Sequence, residues 1–206
     1  MNLVEAFGNI DIYIFDQILK GRFTPSMSIL DAGCGGGRNL VYFLRNGYRV
    51  SAVDIDSDNV ASVKRLAERI APNPEIQFDN RAFRVEPVES LSFDARTFDI
   101  VISNAVLHFA RDESHFHAML EQMMRVLRPG GIFFARLASD IGIEADVAPI
   151  GNGRYRLPDG STRFLVNQSM LMELADRYQC HNLDPIKTSN VQNLRCMTTW
   201  VTQLKA

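Results

Sequence analysis

The chain has 206 residues, of which 46% are hydrophobic and 22% are charged, and its formal net charge is −2 at pH 7. A chain of this size can bury a core large enough to fold without disulfides or a structural metal, and its length favours one globular domain over residues 1–206. The slightly negative charge argues against a strongly cationic nucleic-acid-binding surface.

The N-terminal residues lack the cationic start and apolar core of a signal peptide, and no apolar run approaches membrane-spanning length. The cysteines Cys34, Cys180 and Cys196 have no metal-ligand spacing, and an odd number without pairing indicates reduced thiols. We therefore expect a cytoplasmic protein with no metal site and no membrane partner.

Apolar residues at helical spacing predict an N-terminal helix over residues 3–20, which Gly21 would end. Strand and helix signals then alternate, which predicts parallel strands joined by right-handed crossovers in a doubly wound α/β sheet. The predicted strands are 27–32, 48–54, 82–86, 98–103 and 130–137, and the predicted helices are 37–46, 57–70 and 112–127.

The alternation stops after Leu137. Residues 138–166 are rich in turn formers and are predicted to be an irregular insertion, with a hairpin around Pro158-Asp159-Gly160. A helix over 168–179 and strands over 181–188 and 194–203 complete the prediction.

The most informative segment is Ile29–Leu40, where a buried strand enters a glycine-rich turn. Residues 31–37 read Asp-x-Gly-x-Gly-x-Gly, and this spacing does not fit the Gly-x-Gly-x-x-Gly pattern of dinucleotide sites. A second strand ends in Asp54, which is placed to accept hydrogen bonds from ribose hydroxyls. The combination predicts a mononucleotide-type site and disfavours an NAD-type oxidoreductase.

Two further segments extend the pattern in the same order along the chain: Leu91–Asn104, with Phe98-Asp99-Ile100-Val101 inside it, and Arg125–Gly131. Together with the glycine loop they resemble the motifs of class I S-adenosylmethionine (SAM)-dependent methyltransferases over residues 29–137. The Gly36–Asn39 and Asn193–Val201 segments are also similar, more weakly, to tellurite- and thiopurine-type methyltransferases.

The resemblance implies a Rossmann-like sheet of seven mostly parallel strands with an antiparallel last strand, and SAM as the cofactor, with S-adenosylhomocysteine as its product. The N-terminal helix and the insertion would cover the substrate. The implied cofactor-binding residues are Asp31, Gly33, Gly35, Gly37, Asp54, Ile55, Val88 and Asn104.

The sequence departs from the family where the adenine would bind. Pro87 stands at the position of the family's acidic residue and has no side-chain acceptor. Glu86 or Glu89 would substitute for the missing acid, or only the backbone N–H of Val88 would be used.

Catalytic residues leave weak sequence marks in this family, since positioning supplies much of the acceleration. The candidates are His108, which follows the fourth strand, Tyr13 on the N-terminal helix and Arg136 near the end of the fifth strand. Packing is the commoner role for a histidine like His108, and His115 and His117 are predicted to lie on a solvated helix face.

Arg136 and the insertion's Arg154, Arg156 and Arg163 would together suit an anionic acceptor. The weaker resemblance favours a small, thiol-like acceptor instead. Arg38 is expected to be structural or to contact a cofactor carboxylate.

The sequence therefore predicts an enzyme that transfers a methyl group from SAM to a small molecule by in-line displacement. A non-catalytic SAM-binding protein and a nucleic-acid or protein methyltransferase are the alternatives, and no nucleic-acid partner is expected. The sequence does not indicate an oligomeric state.

Overall fold

A computed structural model describes residues 2–79 and 81–206. The strands lie in two sheets. They are β1 (Ser28–Ala32), β2 (Arg49–Asp54), β3 (Phe83–Val85), β4 (Phe98–Asn104), β5 (Leu127–Ser139), β6 (Ala148–Gly151), β7 (Arg154–Arg156), β8 (Thr162–Phe164), β9 (Cys180–Asn182), β10 (Lys187–Val191) and β11 (Arg195–Leu204). The helices are α1 (Leu3–Phe7), α2 (Ile12–Leu19), α3 (Val41–Arg45), α4 (Ser57–Ile70), α5 (Pro74–Gln77), α6 (Glu113–Val126) and α7 (Gln168–Arg177).

The main sheet has eight strands in the order β10-β11-β5-β4-β1-β2-β3, and β9 pairs with β11. The first five strands pair in parallel, each near its predicted position, with β5 beginning three residues before the predicted 130. β11 runs antiparallel to β5, which confirms the predicted antiparallel last strand. This is the Rossmann-like doubly wound α/β fold that the sequence predicts.

The predicted count of seven strands is wrong because the predicted strand 181–188 is two strands. β9 ends at Asn182 and β10 begins at Lys187, with Pro185 between them, and both pair antiparallel to β11. Proline has no N–H to donate to a strand ladder, so the segment breaks there and resumes in a new register.

The predicted helices 57–70, 112–127 and 168–179 are present as α4, α6 and α7, but the predicted N-terminal helix 3–20 is two helices. Gly8, with φ of +61°, ends α1, and the Asp11 side chain accepts the Tyr13 N–H to begin α2. The predicted helix 37–46 is shorter in the structure. It covers only Val41–Arg45, because the glycine-rich turns occupy the residues before it.

The predicted insertion is more regular than expected. β6, β7 and β8 form a small antiparallel sheet, and the turn at Pro158-Asp159-Gly160 joins β7 to β8 as predicted. Phe164 of β8 is buried and stacks on Phe116 of α6, with ring centroids 4.6 Å apart. This contact anchors the small sheet to the main core.

Apolar clusters fill both faces of the main sheet. One packs α6 and α7 against β4, β5 and β11, and includes Phe116, Phe133 and Trp200. The other packs α2, α3 and α4 against the opposite face, and includes Ile14 and Phe134. Within the described ranges, no helix combines the length and the hydropathy needed to cross a bilayer.

A polar cluster joins the N-terminal region to the loop between β9 and β10. The carboxylate of Asp184 accepts hydrogen bonds from Arg22 (2.7 Å), Lys20 (2.9 Å) and the buried Gln17 (2.9 Å). Burial alone would raise the pKa of Asp184, but the bonds from Arg22, Lys20 and Gln17 outweigh it and hold that pKa well below its ordinary range.

Replacing this carboxylate tests the cluster. We expect Asp184→Asn to lower the free energy of unfolding at pH 7 by about 1–3 kcal/mol, because the charged hydrogen bonds of a mostly buried group are lost. Since the folded pKa is lowered, the stabilisation is present above the ordinary carboxyl pKa of 3.8 and is lost as the pH falls below it. Urea unfolding at pH 7 and pH 3 measures both, and a loss of equal size at the two pH values contradicts the assignment. The exposed Glu68, changed to Gln, is the control.

Candidate active site

The loop after β1 approaches two neighbouring strands closely. The N–H groups of Gly33 and Cys34 both donate to the Val53 carbonyl of β2, at 2.9 Å each. Gly33 has φ of +82°, and a Cβ atom there would lie 2.4 Å from Cγ2 of Val106. Only glycine allows this conformation and this contact, which explains the residue type at position 33.

The middle of the loop faces open space. Gly35, with φ of +51°, and Gly36 have no atom within 4 Å of the position where a Cβ would stand, and both line a cleft. Gly37 does not line the cleft; a Cβ there would lie 2.9 Å from Val63 of α4. Of the three glycines that the sequence assigns to the cofactor, Gly33 and Gly35 therefore border the cleft and Gly37 packs against a helix.

Asp54 holds the loop in place. Its Oδ2 accepts the Gly35 N–H at 2.8 Å, and its Oδ1 accepts the Asp56 N–H at 3.0 Å and lies 3.3 Å from Nδ2 of Asn59. A carboxylate offers about four acceptor positions, so about one remains for a ligand's hydroxyl group. Asp56 caps α4, since its own side chain accepts the Asp58 N–H.

Asp31 lies behind the loop at the end of β1 and is 1% exposed. Its Oδ2 has no hydrogen-bond partner among the described residues. Burial raises the pKa of Asp31 to about 7, with Arg38 opposing the rise and Asp54 adding to it. Leaving a buried oxygen without a hydrogen-bond partner costs about 1–3 kcal/mol of folding free energy. A cation or a hydrogen-bond donor from a ligand would remove this cost.

The cleft has a volume of about 850 Å³ and lies at the carboxyl ends of the parallel strands. Asp54 and Asn104 supply polar groups to it, and its apolar lining comes from Ile55, Val88, Val106, Phe109 and Met119. A groove of about 950 Å³, lined by Ser28 and Arg49, lies at the opposite edge of the sheet. Open parallel sheets bind ligands at their carboxyl edge, so we take the smaller cleft as the site.

One end of the cleft is formed by the turn after β3. Val88, in a 3₁₀ turn after Pro87, and the exposed Ile55 both line the cleft, and the sequence analysis predicts that both contact the adenine. Glu86 does not line the cleft, because its carboxylate accepts from the N–H and the hydroxyl of Ser92. Glu89 does line it, and is the acid available at this end.

His115 was predicted to lie on a solvated face, and this is wrong. Its side chain is 13% exposed, it lines the cleft, and Nε2 lies 3.1 Å from Oε1 of Glu89. The Nδ1 atom accepts the N–H of Arg111, which also borders the cleft. Sequence reasoning missed this group because the turn after Pro87, which carries Glu89, meets α6 only in the fold.

At the other end of the cleft, charged side chains beneath α2 are connected by ion pairs and hydrogen bonds. Nη1 of Arg136 on β5 donates to Oδ2 of Asp11 at 2.8 Å, and Nη2 of Arg38 lies 3.7 Å from the same oxygen. Arg38 also donates to Oδ1 of Asn104 at 3.2 Å. Tyr13 lies under the Arg136 guanidinium (5.3 Å to the ring centre) and bonds to Ser189 of β10 at 2.7 Å.

The structure thus places two of the catalytic candidates, Tyr13 and Arg136, against each other, and Asn104 is the register neighbour of Arg136 on β4. It adds Asp11, which is 4% exposed and which the sequence analysis overlooked. The available signal was an aspartate directly before the apolar start of α2, a typical N-cap.

His108 is separate from this network. It is 6% exposed, and its Nδ1 accepts the Ala138 N–H at 3.2 Å. Burial, together with the charge of Arg163, lowers the pKa of His108 to about 4. The geometry is that of a packed histidine with one structural hydrogen bond, so it gives no support to His108 as a base.

The four arginines that the sequence groups together are dispersed. Arg136 pairs with Asp11, whereas the Arg163 guanidinium lies over the Phe109 ring, 5.0 Å from its centre. Arg154 and Arg156 occupy alternate positions of β7, opposite Phe164 and Thr162. Over residues 2–79 and 81–206, no group of three or more metal-ligating side chains is assembled.

Comparison with known proteins places this geometry in a family. The methyltransferase domain family matches residues 30–135, which contain the glycine loop, Asp54 and Asn104. The chain is 33% identical over 120 residues to a ubiquinone biosynthesis O-methyltransferase of Methylocella silvestris, covering 56% of this chain and 43% of that protein. It is 30% identical over 115 residues to a malonyl-[acyl-carrier protein] O-methyltransferase of Salmonella typhimurium, covering 56% and 39%.

Among solved structures, the fold resembles the 1,6-didemethyltoxoflavin-N1-methyltransferase of Burkholderia thailandensis, whose crystal structure contains 1,6-didemethyltoxoflavin and S-adenosylhomocysteine. The TM-score is 0.69 at 21% identity, over 100% of this chain and 82% of the other. The chain spans less than half the length of these two curated relatives. Since the family match covers half of the chain and includes the cleft, the protein belongs to the methyltransferase domain family.

Proposed function

We propose that this protein binds S-adenosylmethionine and transfers its methyl group to a small-molecule acceptor. The observation that carries the proposal is the buried Oδ2 of Asp31, which has no partner and lies behind a glycine loop open to the cleft. The ammonium group of an amino-acid cofactor would supply the missing positive charge. The cofactor brings a methyl group on a cationic sulfur, which is a good leaving group.

The residues of the cleft suit the rest of such a cofactor. The side-chain-free backbone at Gly35 and Gly36 would accommodate the methionine portion, and Asp54 has about one acceptor position left for a ribose hydroxyl. Ile55 and Val88 would enclose the adenine, with Glu89 available to its exocyclic amine. This arrangement supports cofactor roles for these residues. The Glu89 carboxylate would take the place of the acidic side chain that is missing at Pro87.

The protein itself contributes to the reaction by positioning the acceptor against the cofactor. The base nitrogen of His108 is occupied, Arg136 is a cation paired with Asp11, and the Tyr13 hydroxyl is bonded to Ser189. None of these groups offers a free base to the cleft, so the acceptor would bring its own nucleophile and be aligned by the surrounding walls. We place the small sheet of residues 148–164 at the acceptor side as a cover, since Arg163 reaches Phe109 at the cleft.

The sequence suggests two acceptor types, anionic and thiol-like, and the arginines at the cleft favour the anionic one. Arg38 lines the cleft, and Arg163 lies over Phe109, one of its lining residues. Guanidinium groups recognise carboxylates and phosphates through charge-assisted hydrogen bonds.

Cofactor binding can be tested directly. S-adenosylhomocysteine should raise the melting temperature of the wild type, whereas NAD should not, because a ligand that binds only the folded state stabilises it. Asp54→Asn should weaken S-adenosylhomocysteine binding by about 1–3 kcal/mol in calorimetric titration, the magnitude of lost charge-assisted bonds. Asp56→Asn, which removes a nearby carboxylate outside the cleft, is the matched control. Stabilisation by NAD alone would falsify the proposal.

The pH dependence of binding tests Asp31. A bound ammonium would lower the pKa of this carboxyl from about 7, so binding below pH 7 should release a proton. Affinity should therefore rise with pH up to about 7, by at most roughly tenfold per unit, and then level off. Calorimetry at pH 6 in buffers of different ionisation enthalpy measures the released proton. Asp31→Asn should bind more weakly and release none; the same release from both proteins would show that another group is responsible.

Methyl transfer is the remaining step to test. With SAM carrying a labelled methyl group and a cell extract as the source of acceptors, label should enter the low-molecular-mass fraction. Asp54→Asn should slow this labelling at low SAM concentration, since less cofactor is bound. Label in RNA or protein instead would favour the macromolecular alternatives, and binding without any transfer would favour a non-catalytic SAM-binding protein.

A further inference from the structure

Three buried polar groups beneath α2 have no hydrogen-bond partner within the described ranges. They are Nδ2 of Asn104, Nε of Arg136 and Oγ1 of Thr199. Asn104 and Thr199 are only 8% and 4% exposed. Buried polar groups are normally paired, so three orphaned groups close together indicate a missing partner.

The three residues form a row across the sheet. Asn104 of β4 is the register partner of Arg136 of β5, and Arg136 is the register partner of Thr199 of β11. Residues in register on neighbouring strands project from the same face, and Tyr13 and Asp11 of the α2 region lie over this face beside Arg136. Asn104 also lines the cleft, so the row begins at the cleft wall and continues beneath α2.

The backbone next to the row adopts a strained conformation. Ala105, directly after Asn104, has φ of +62°, a conformation that residues with a side chain rarely adopt. Its N–H donates to the Arg136 carbonyl at 2.7 Å. Strain of this kind persists where the surrounding structure enforces it and is concentrated at functional sites.

The chemistry of the row favours an anion. The amide and the guanidinium can only donate through these atoms, and a hydroxyl can donate as well. Arg136 shares the carboxylate of Asp11 with Arg38, which also interacts with the buried Asp31. Water could satisfy the three donors but would bring no negative charge to Arg136. A monoanion with several acceptor positions satisfies the donors and the charge together.

We propose that the row Asn104–Arg136–Thr199 is an oxyanion subsite that binds a carboxylate group of the acceptor. The inference rests on the proposed function for its place in a reaction, because it lies beside the cleft assigned to the cofactor. It identifies the acceptor as a small carboxylate-bearing molecule and Thr199 as a specificity-determining residue.

The test compares benzoate with benzamide, which has nearly the same shape but no charge, on protein saturated with S-adenosylhomocysteine. Ligand-observed NMR titration should give benzoate at least about tenfold higher affinity than benzamide. Thr199→Val keeps the side-chain shape and should reduce benzoate affinity about fivefold or more, while S-adenosylhomocysteine affinity is unchanged. Because the hydroxyl has no partner, this variant should unfold at the same urea concentration as the wild type or a higher one.

Thr202→Val is the matched control. Thr202 is a buried threonine on the same strand, three positions further, and so faces the other side of the sheet. Its replacement should leave the affinity for benzoate unaltered.

Three results overturn the subsite. The first is equal affinity of the wild type for benzoate and benzamide, and the second is a Thr199→Val variant that binds benzoate like the wild type. A third is that Thr199→Val and Arg136→Gln weaken S-adenosylhomocysteine but not 5′-methylthioadenosine, which lacks the amino-acid group. The row would then belong to the cofactor's carboxylate. If S-adenosylhomocysteine fails to bind while benzoate still binds through Thr199, the proposed function fails and the subsite stands.

Discussion

The cleft depends on one close approach of the backbone to two neighbouring strands. Gly33 passes against Val106, its N–H is bonded to Val53 of β2, and Asp54 at the end of β2 accepts the next free N–H, that of Gly35. These contacts hold the loop away from the strand ends and leave a cavity at the carboxyl edge of the sheet.

The parts of the structure that the sequence predicts well are those set by local chemistry. Apolar runs such as Ile100–Ile102 form the centres of strands buried on both faces, and the glycine at position 33 fits a backbone that excludes a Cβ. The antiparallel last strand followed from the resemblance to the family. Asp54 and Asn104 lie at the cleft and Asp31 lies behind its loop, and their cofactor roles stay predictions.

What the sequence does not predict is decided by residues far apart in the chain. The bond between Asp11 and Arg136 spans 125 positions, and the contact of Glu89 with His115 joins a turn to a helix. No periodic pattern encodes such pairs. The break at Pro185 and the cap at Asp11 are different, because both carry a local signal that outweighs the apolar pattern around it.

The Tyr13–Ser189 bond and the Asp184 cluster have a consequence for the order of assembly during translation. They join residues separated by 176 and 167 positions, so these contacts of the N-terminal region form only after the β9–β10 segment has left the ribosome. The five parallel strands can pair earlier, because their pairings are closer in sequence. During translation, the cleft at the strand ends can therefore take shape before the N-terminal region is tied to the C-terminal strands.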